Sequence, residues 1–543
     1  MVNAKEILKD LTLDEKIGQL LCKEMDALIK EDGNYDAVEE FAKTTKTGSI
    51  FIGGSHTKER IKKIKDIFQK YSKLPILVAA DVEFGPGSVF GAELGEVYLP
   101  CPMAWGACDD PDLIEKAHIA TAERCREYGI HWSFAPVVDI NMDMQSPEAN
   151  IRAVSDKAQQ VAKITAAVVR GMQSAGLMVA GCKHFPGEGV DGRNSHMTVS
   201  YNDLPFDEWM DTFGYVYKEM FKEGTASVMV GHIALPSYDE PMNDWIGCPP
   251  CTFSRKLMTE LLKGELGFDG CIVSDAMTMA GAGVVVPRDR VAVEFIKAGG
   301  DIVLFPKIDY FDHIKNAVLS GEIPMERIDD AVLRVIKLKE RARLFEDEEE
   351  VLKGIEHKYD LAELAKQIEE KSITLVRNFG KIVPFDLKPG AKVAVINLQK
   401  EGEVPSISNS LETMENELKA RGFEVKSFTN PGRPDVADYL PEADAIFVNV
   451  KISSRDCVGG TLRLHYIHTA LMWSGFLTQF DNVVFASFGD PYKLYDYPYV
   501  KNYINVYSPT PGSQRAYVRA VLGEIPFEGK SPVGLKGLIE RQV

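Results

Sequence analysis

Between residues 48 and 306, short apolar runs recur, and most of them end in a charged or polar side chain. They are "GSIFIGG" (48–54), "LPILVAADVE" (74–83), "IHWSFAPVVDIN" (130–141), "GLMVAGCKHF" (176–185), "ASVMVGHIALP" (226–236), "GCIVSDAMTM" (270–279) and "DIVLFP" (301–306). Amphipathic stretches such as 113–129 and 157–176 lie between them, with apolar residues three and four apart and a glycine near the end. Strand and helix alternating seven or eight times predicts parallel strands joined by helical crossovers. Residues 1–340 are long enough for eight such units, closed into a (β/α)8 TIM-like barrel. The polar run ends are Asp81 and Glu83, Asp139, Lys183 and His184, His232, and Asp275. Burying so many charges separately would be costly. One polar pocket at the C-terminal mouth of the barrel accounts for them together.

Residues 341–385 are charged and helical in pattern, and are expected to be a linker. Residues 386–543 carry further apolar runs at 391–398, 443–450, 482–489 and 503–508. They predict a second, smaller α/β sandwich domain with an open sheet. It has no matching cluster of Lys, His, Asp and Glu at its strand ends. It could cover the barrel mouth, supply the surface of a homodimer, or stabilise the chain.

The formal net charge of −18 argues against nucleic acid or an anionic membrane as partner. No run of about 18 apolar residues suggests a membrane span. The opening "MVNAKEILKDLTLDEKIGQL" has Lys, Asp and Glu throughout and does not read as a leader, so a cytoplasmic protein is expected. Nine cysteines are scattered along the chain. The one close pair, Cys248-Pro-Pro-Cys251, has no second pair and reads as two reduced thiols. Lys183 beside His184 puts positive charge where a divalent cation would sit. Neither a metal nor a cofactor is expected. Lys183 and Arg152 suit an array of sugar hydroxyls or a carboxylate.

Several motifs occur in a fixed order: "APVVDIN", "KHFPGEG", "VMVGHIALPSYD", "TFSRKLMTELLKGELGFDGCIVSDAMTMAGA" and "AGGDIVLFP". In this order and spacing the chain resembles glycoside hydrolase family 3, in its β-N-acetylglucosaminidase branch. The C-terminal stretch beginning "SFGDPYKLYDYPYVKNYINVYSPTPGSQ" resembles the second domain of two-domain members. The resemblance implies a retaining glycosidase acting on a small carbohydrate, with terminal β-linked N-acetylglucosamine as the leading sugar and a β-glucoside as runner-up. Asp275 matches the nucleophile. His196 matches the loop histidine that serves as acid and base, and Asn194 stands where its partner aspartate is found. Asp81, Arg152, Lys183 and His184 match sugar-binding positions. For Asp139 and His232, support of the pocket is expected.

The branch pattern K-H-F-P-G-H-G-D-T-x-x-D-x-H is kept in length but changed at Glu188, Val190, Asp191 and Asn194. An amide at position 194 can accept the ring N–H but brings no charge to stabilise an imidazolium. Three outcomes follow. Asp191 or Glu188 swings in as the missing charge or as the acid itself; or the substrate needs little protonation, as in a phosphorolytic variant; or the protein binds sugar without turning it over.

Overall fold

Eight parallel strands form the first sheet: β1 (Leu21–Glu24), β2 (Ser49–Phe51), β3 (Leu77–Ala80), β4 (Trp132–Ser133), β5 (Val179–Phe185), β6 (Ser227–Val230), β7 (Cys271–Ser274) and β8 (Val303–Leu304). Their order is β8-β1-β2-β3-β4-β5-β6-β7. A bridge between Val273 and Ile302 joins β7 to β8 and completes the circuit. The protein is seen here in a computed structural model that describes residues 2–29, 33–54, 56–91, 95–242, 247–399, 410–451 and 475–534.

Helices cover the outside of this barrel. The helix Pro111–Glu127 starts as such sequences should: Pro111 fills the first turn, and the Asp110 carboxylate accepts the Leu113 N–H at 3.1 Å. At the N-terminal end of the barrel, the Lys339 ammonium donates to Gln19 Oε1 and to the carbonyls of Gly48 and Pro75 at 2.5–2.9 Å. Both carbonyls precede strands, so this end is closed, and the open end lies at the strand C-termini. The (β/α)8 expectation holds.

The second sheet contains β9 (Thr374–Asn378), β10 (Lys392–Gln399), β11 (Glu424–Thr429), β12 (Ala445–Lys451), β13 (Val483–Ser487) and β14 (Asn502–Asn505). Their order is β9-β14-β13-β12-β10-β11, parallel except for the β9–β14 pair. It is the open, smaller α/β sheet expected. Strand β9 lies inside residues 341–385, the stretch read as a linker. That stretch does hold the helices Glu348–Lys353 and Leu361–Ser372, but its end is an edge strand of the second sheet.

One face of this sheet is covered by the helices Glu412–Ala420 and Pro511–Val521. The other packs on the barrel, where Phe84, Cys101, Met103, Ala104, Ala107 and Ile151 share a core with Ile396, Val448, Phe485 and Tyr503. Polar contacts reinforce the junction. The Ser155 hydroxyl donates to the Pro532 carbonyl at 2.6 Å, the Gly534 N–H donates to Asp156 Oδ2 at 2.8 Å, and Asn141 hydrogen-bonds Tyr492.

Candidate active site

Seven of the eight barrel strands deliver a described residue to one cavity of about 290 Å³ at the C-terminal end. They supply Phe51, Asp81, Phe134, Lys183 with His184, Met229, Asp275, and Leu304 with Phe305. The loop after β4 adds Glu148 and Arg152, and the loop after β5 adds Glu188, Ser195 and His196. Acidic and basic groups thus face each other across a floor of aromatic and aliphatic side chains.

On one side the cations are already paired. Lys183 Nζ lies 2.8 Å from Asp81 and 2.6 Å from Glu83. Arg152 makes a two-pronged contact with Glu83, at 2.8 and 3.0 Å. Burial works against both cations, and the neighbouring carboxylates more than offset it, so both are raised above their ordinary values. His184 donates Nδ1–H to Asp139 Oδ2 at 2.8 Å, while Asp139 Oδ1 accepts the backbone N–H of His184 and of Glu188. Asp139 therefore fixes the strand end and the loop, as expected. The Lys183–His184 bond is cis.

Asp275 stands at the end of β7, where its carboxylate accepts the N–H of Ala276 at 2.7 Å. Burial opposes its ionisation, but His184, His232, that N–H and Lys183 outweigh it and hold the carboxyl below the ordinary range. His232 supports the same turn by donating to the Ala276 carbonyl at 3.1 Å. The loop imidazole has the opposite tuning. His196 Nδ1 lies 2.9 Å from Glu148 Oε1 and 3.0 Å from Asn194 Oδ1. With two acceptors in front of it, Nδ1 carries the hydrogen, and Nε2 is left to exchange a proton. The hydrogen bond to Glu148 raises His196, burial opposes this, and the charges of Glu148 and Asp275 add to the rise.

A half-buried carboxylate and a partly exposed imidazole in one pocket suit several chemistries. Comparison with known proteins narrows them. Residues 12–338 match the model of the glycosyl hydrolase family 3 N-terminal domain. The chain belongs to glycosyl hydrolase family 3. It is 29% identical over 553 residues to a β-N-acetylglucosaminidase/β-glucosidase of Cellulomonas fimi, covering 97% of this chain and 94% of that one. Among solved structures, a β-glucoside phosphorylase, BglX, bound to 2FGlc superposes with a TM-score of 0.85 at 27% identity, over 98% of this chain and 96% of that one. A family 3 β-N-acetylglucosaminidase from Paenibacillus sp. str. FPU-7 superposes with a TM-score of 0.81 at 26% identity, over 97% and 99% of the two chains.

For a family 3 enzyme, the residues expected from the sequence come together well. Asp81, Arg152, Lys183, His184, Glu188, His196 and Asp275 all line the cavity, and Asn194 touches His196. The two residues named as possible replacements for the missing charge, or as the acid itself, are placed differently. Asp191 does not reach the pocket: its carboxylate accepts from the Arg193 guanidinium at 2.7 Å and from the Tyr201 N–H at 2.9 Å. Glu188 lines the pocket. Burial, then Asp139 and Glu148, push its carboxyl well above the ordinary range, and it accepts from the Ser200 hydroxyl at 3.1 Å.

Glu148 is the residue the sequence reading passed over. It ends no strand, and nothing in "SPEANIR" marks it except its place four residues before Arg152. Glu83 was visible as a run end, but its hold on Lys183 and Arg152 was not. Cys248 and Cys251 are free thiols, both raised by burial. Among the described residues, no three His, Cys, Asp or Glu side chains gather as a metal site, and no helix is long and apolar enough to cross a membrane.

Proposed function

We propose that this protein is a retaining β-glycosidase that releases terminal β-linked N-acetylglucosamine, or a related hexose, from small conjugates. Asp275 attacks the anomeric carbon as the glycosidic bond breaks, and the His196 imidazolium gives its proton to the leaving oxygen. The neutral imidazole then takes a proton from water, which displaces Asp275 and frees the sugar. Lys183, Arg152, His184 and Asp81 bind sugar hydroxyls. The supporting observation is that an ionised Asp275 and a His196 with raised basicity line the same cavity. The names of the relatives, which cover glucosidase and N-acetylglucosaminidase, fit the choice of sugar.

A phosphorolytic reading has its own support. The proton-transferring group is an imidazole, so an incoming phosphate meets no carboxylate in that place. The likeness to a β-glucoside phosphorylase points the same way. One experiment addresses both. Incubation with 2-deoxy-2-fluoro-β-glucosyl fluoride, whose leaving group needs no acid, should add one sugar to the protein, and peptide mapping should find it on Asp275. Adding phosphate or water should then release the sugar 1-phosphate or the free sugar. An adduct on another residue would overturn the nucleophile. No adduct and no product from fluorides or aryl glycosides of glucose and N-acetylglucosamine would overturn the function.

A further inference from the structure

We propose that Glu148 is the charged partner of the His196 imidazole, supplied by the loop after β4 in place of the carboxylate that position 194 lacks. This rests on His196 acting as acid and base. Geometry carries it. Nδ1 has one hydrogen and two acceptors, the Glu148 carboxylate at 2.9 Å and the Asn194 amide oxygen at 3.0 Å. The amide oxygen is also occupied by the His196 backbone N–H at 2.8 Å. Asn194 therefore sets the loop, and Glu148 brings the charge.

Glu148 is itself held in place. Only 8% of its side chain is exposed, against 42% for His196. Its carbonyl accepts from Arg152 Nη1 at 3.0 Å, and its other carboxylate oxygen lies 3.5 Å from the same atom. Burial opposes its charge, but the hydrogen bond from His196 and the charge of Arg152 outweigh it and lower the carboxyl. The charged groups acting on the imidazole are thus Glu148 and Asp275, which favour the imidazolium, and Arg152, which disfavours it. His232 lies close enough to feel His196, and Glu188 lines the pocket with its carboxyl pushed up by burial. Glu148 is the one carboxylate among these in contact with the ring. It is a positioning residue, because it acts through His196.

The test compares wild type, Glu148→Gln and Glu148→Gln/Asn194→Asp. Substrates are the phenyl and 2,4-dinitrophenyl β-glycosides of glucose and N-acetylglucosamine. Loss of the charge should lower kcat/KM about 10²-fold or more for the phenyl glycoside, whose leaving group needs a proton. The dinitrophenyl glycoside should lose less than about tenfold, since its leaving group needs none. The alkaline limb of the pH profile should move to lower pH in the single variant, because a less basic imidazole loses its proton sooner. A carboxylate at 194, already within reach of Nδ1, should restore the phenyl glycoside. Equal losses on both aglycones, an unmoved alkaline limb or no rescue would each overturn the proposal.

NMR titration of His196, assigned by its loss in His196→Gln, supplies a reading independent of turnover. The wild-type ring should titrate above the ordinary value of about 6.5 and fall in Glu148→Gln. A wild-type ring at or below that value overturns the pairing even if the variant does not fold. If no glycoside is cleaved but the titration behaves as stated, the functional reading fails and the pairing stands.

Discussion

At the scale of single residues, the site is an arrangement of charges that depend on one another. Glu83 shows it most plainly. One buried carboxylate holds both Lys183 and Arg152, so its loss leaves Lys183 with Asp81 alone and Arg152 with Glu148 alone. Glu83→Ala should destabilise the fold by about 3–5 kcal/mol, the usual cost of removing one member of a buried pair. Chemical denaturation of the variant measures this, and a change below about 1 kcal/mol would mean that water already carries those cations. The same dependence decides what could be read beforehand. Asp275, Lys183 and His184 were legible because a charge at the end of an apolar strand has few places to go. Glu148 was not, because its value lies in a contact with a residue 48 positions away, made only when two loops meet.

Those loops define the scale of elements. The loop after β5 carries His196 and packs on the loop after β4 through Gly189. Its φ is +106°, and a Cβ there would lie 2.1 Å from the Ile140 carbonyl oxygen. The Gly189 carbonyl in turn accepts the Asp143 N–H at 2.7 Å. Gly189→Ala should cost more than about 1 kcal/mol through the backbone alone. It should also lower activity by parting His196 from Glu148. Thermal melting together with kcat/KM checks both; a variant with wild-type values for both would show that the loops meet without this glycine. Strands differed in legibility for physical reasons. Those buried on both faces, such as β5 and β7, appear as continuous apolar runs. β11, "EVKSFT", is an edge strand that is mostly exposed, so burial left no pattern in it. β1, "LCKE", is too short to stand out after the helix Leu13–Gln19.

At the scale of the whole molecule, the two sheets do not stand as independent bodies. Ile151, between Glu148 and Arg152, lies in the core shared with the second sheet, and the contacts of Ser155 and Asp156 with residues 532–534 lie just beyond. The wall of the pocket that holds Arg152 and Glu148 is therefore braced from behind by the second domain. Scanning calorimetry should give one cooperative transition for the intact chain, although two-domain proteins commonly give more. Two well-separated transitions would show that the junction is weaker than its packing suggests.

The brace also has a consequence in time. Ser155 meets Pro532, which the ribosome adds 377 residues later. Domains fold from the N-terminus as synthesis proceeds, so the barrel can close long before its pocket wall has its support. A nascent chain would hold Asp275 at its strand end while the wall bearing Arg152 and Glu148 still waits for those late residues to brace it.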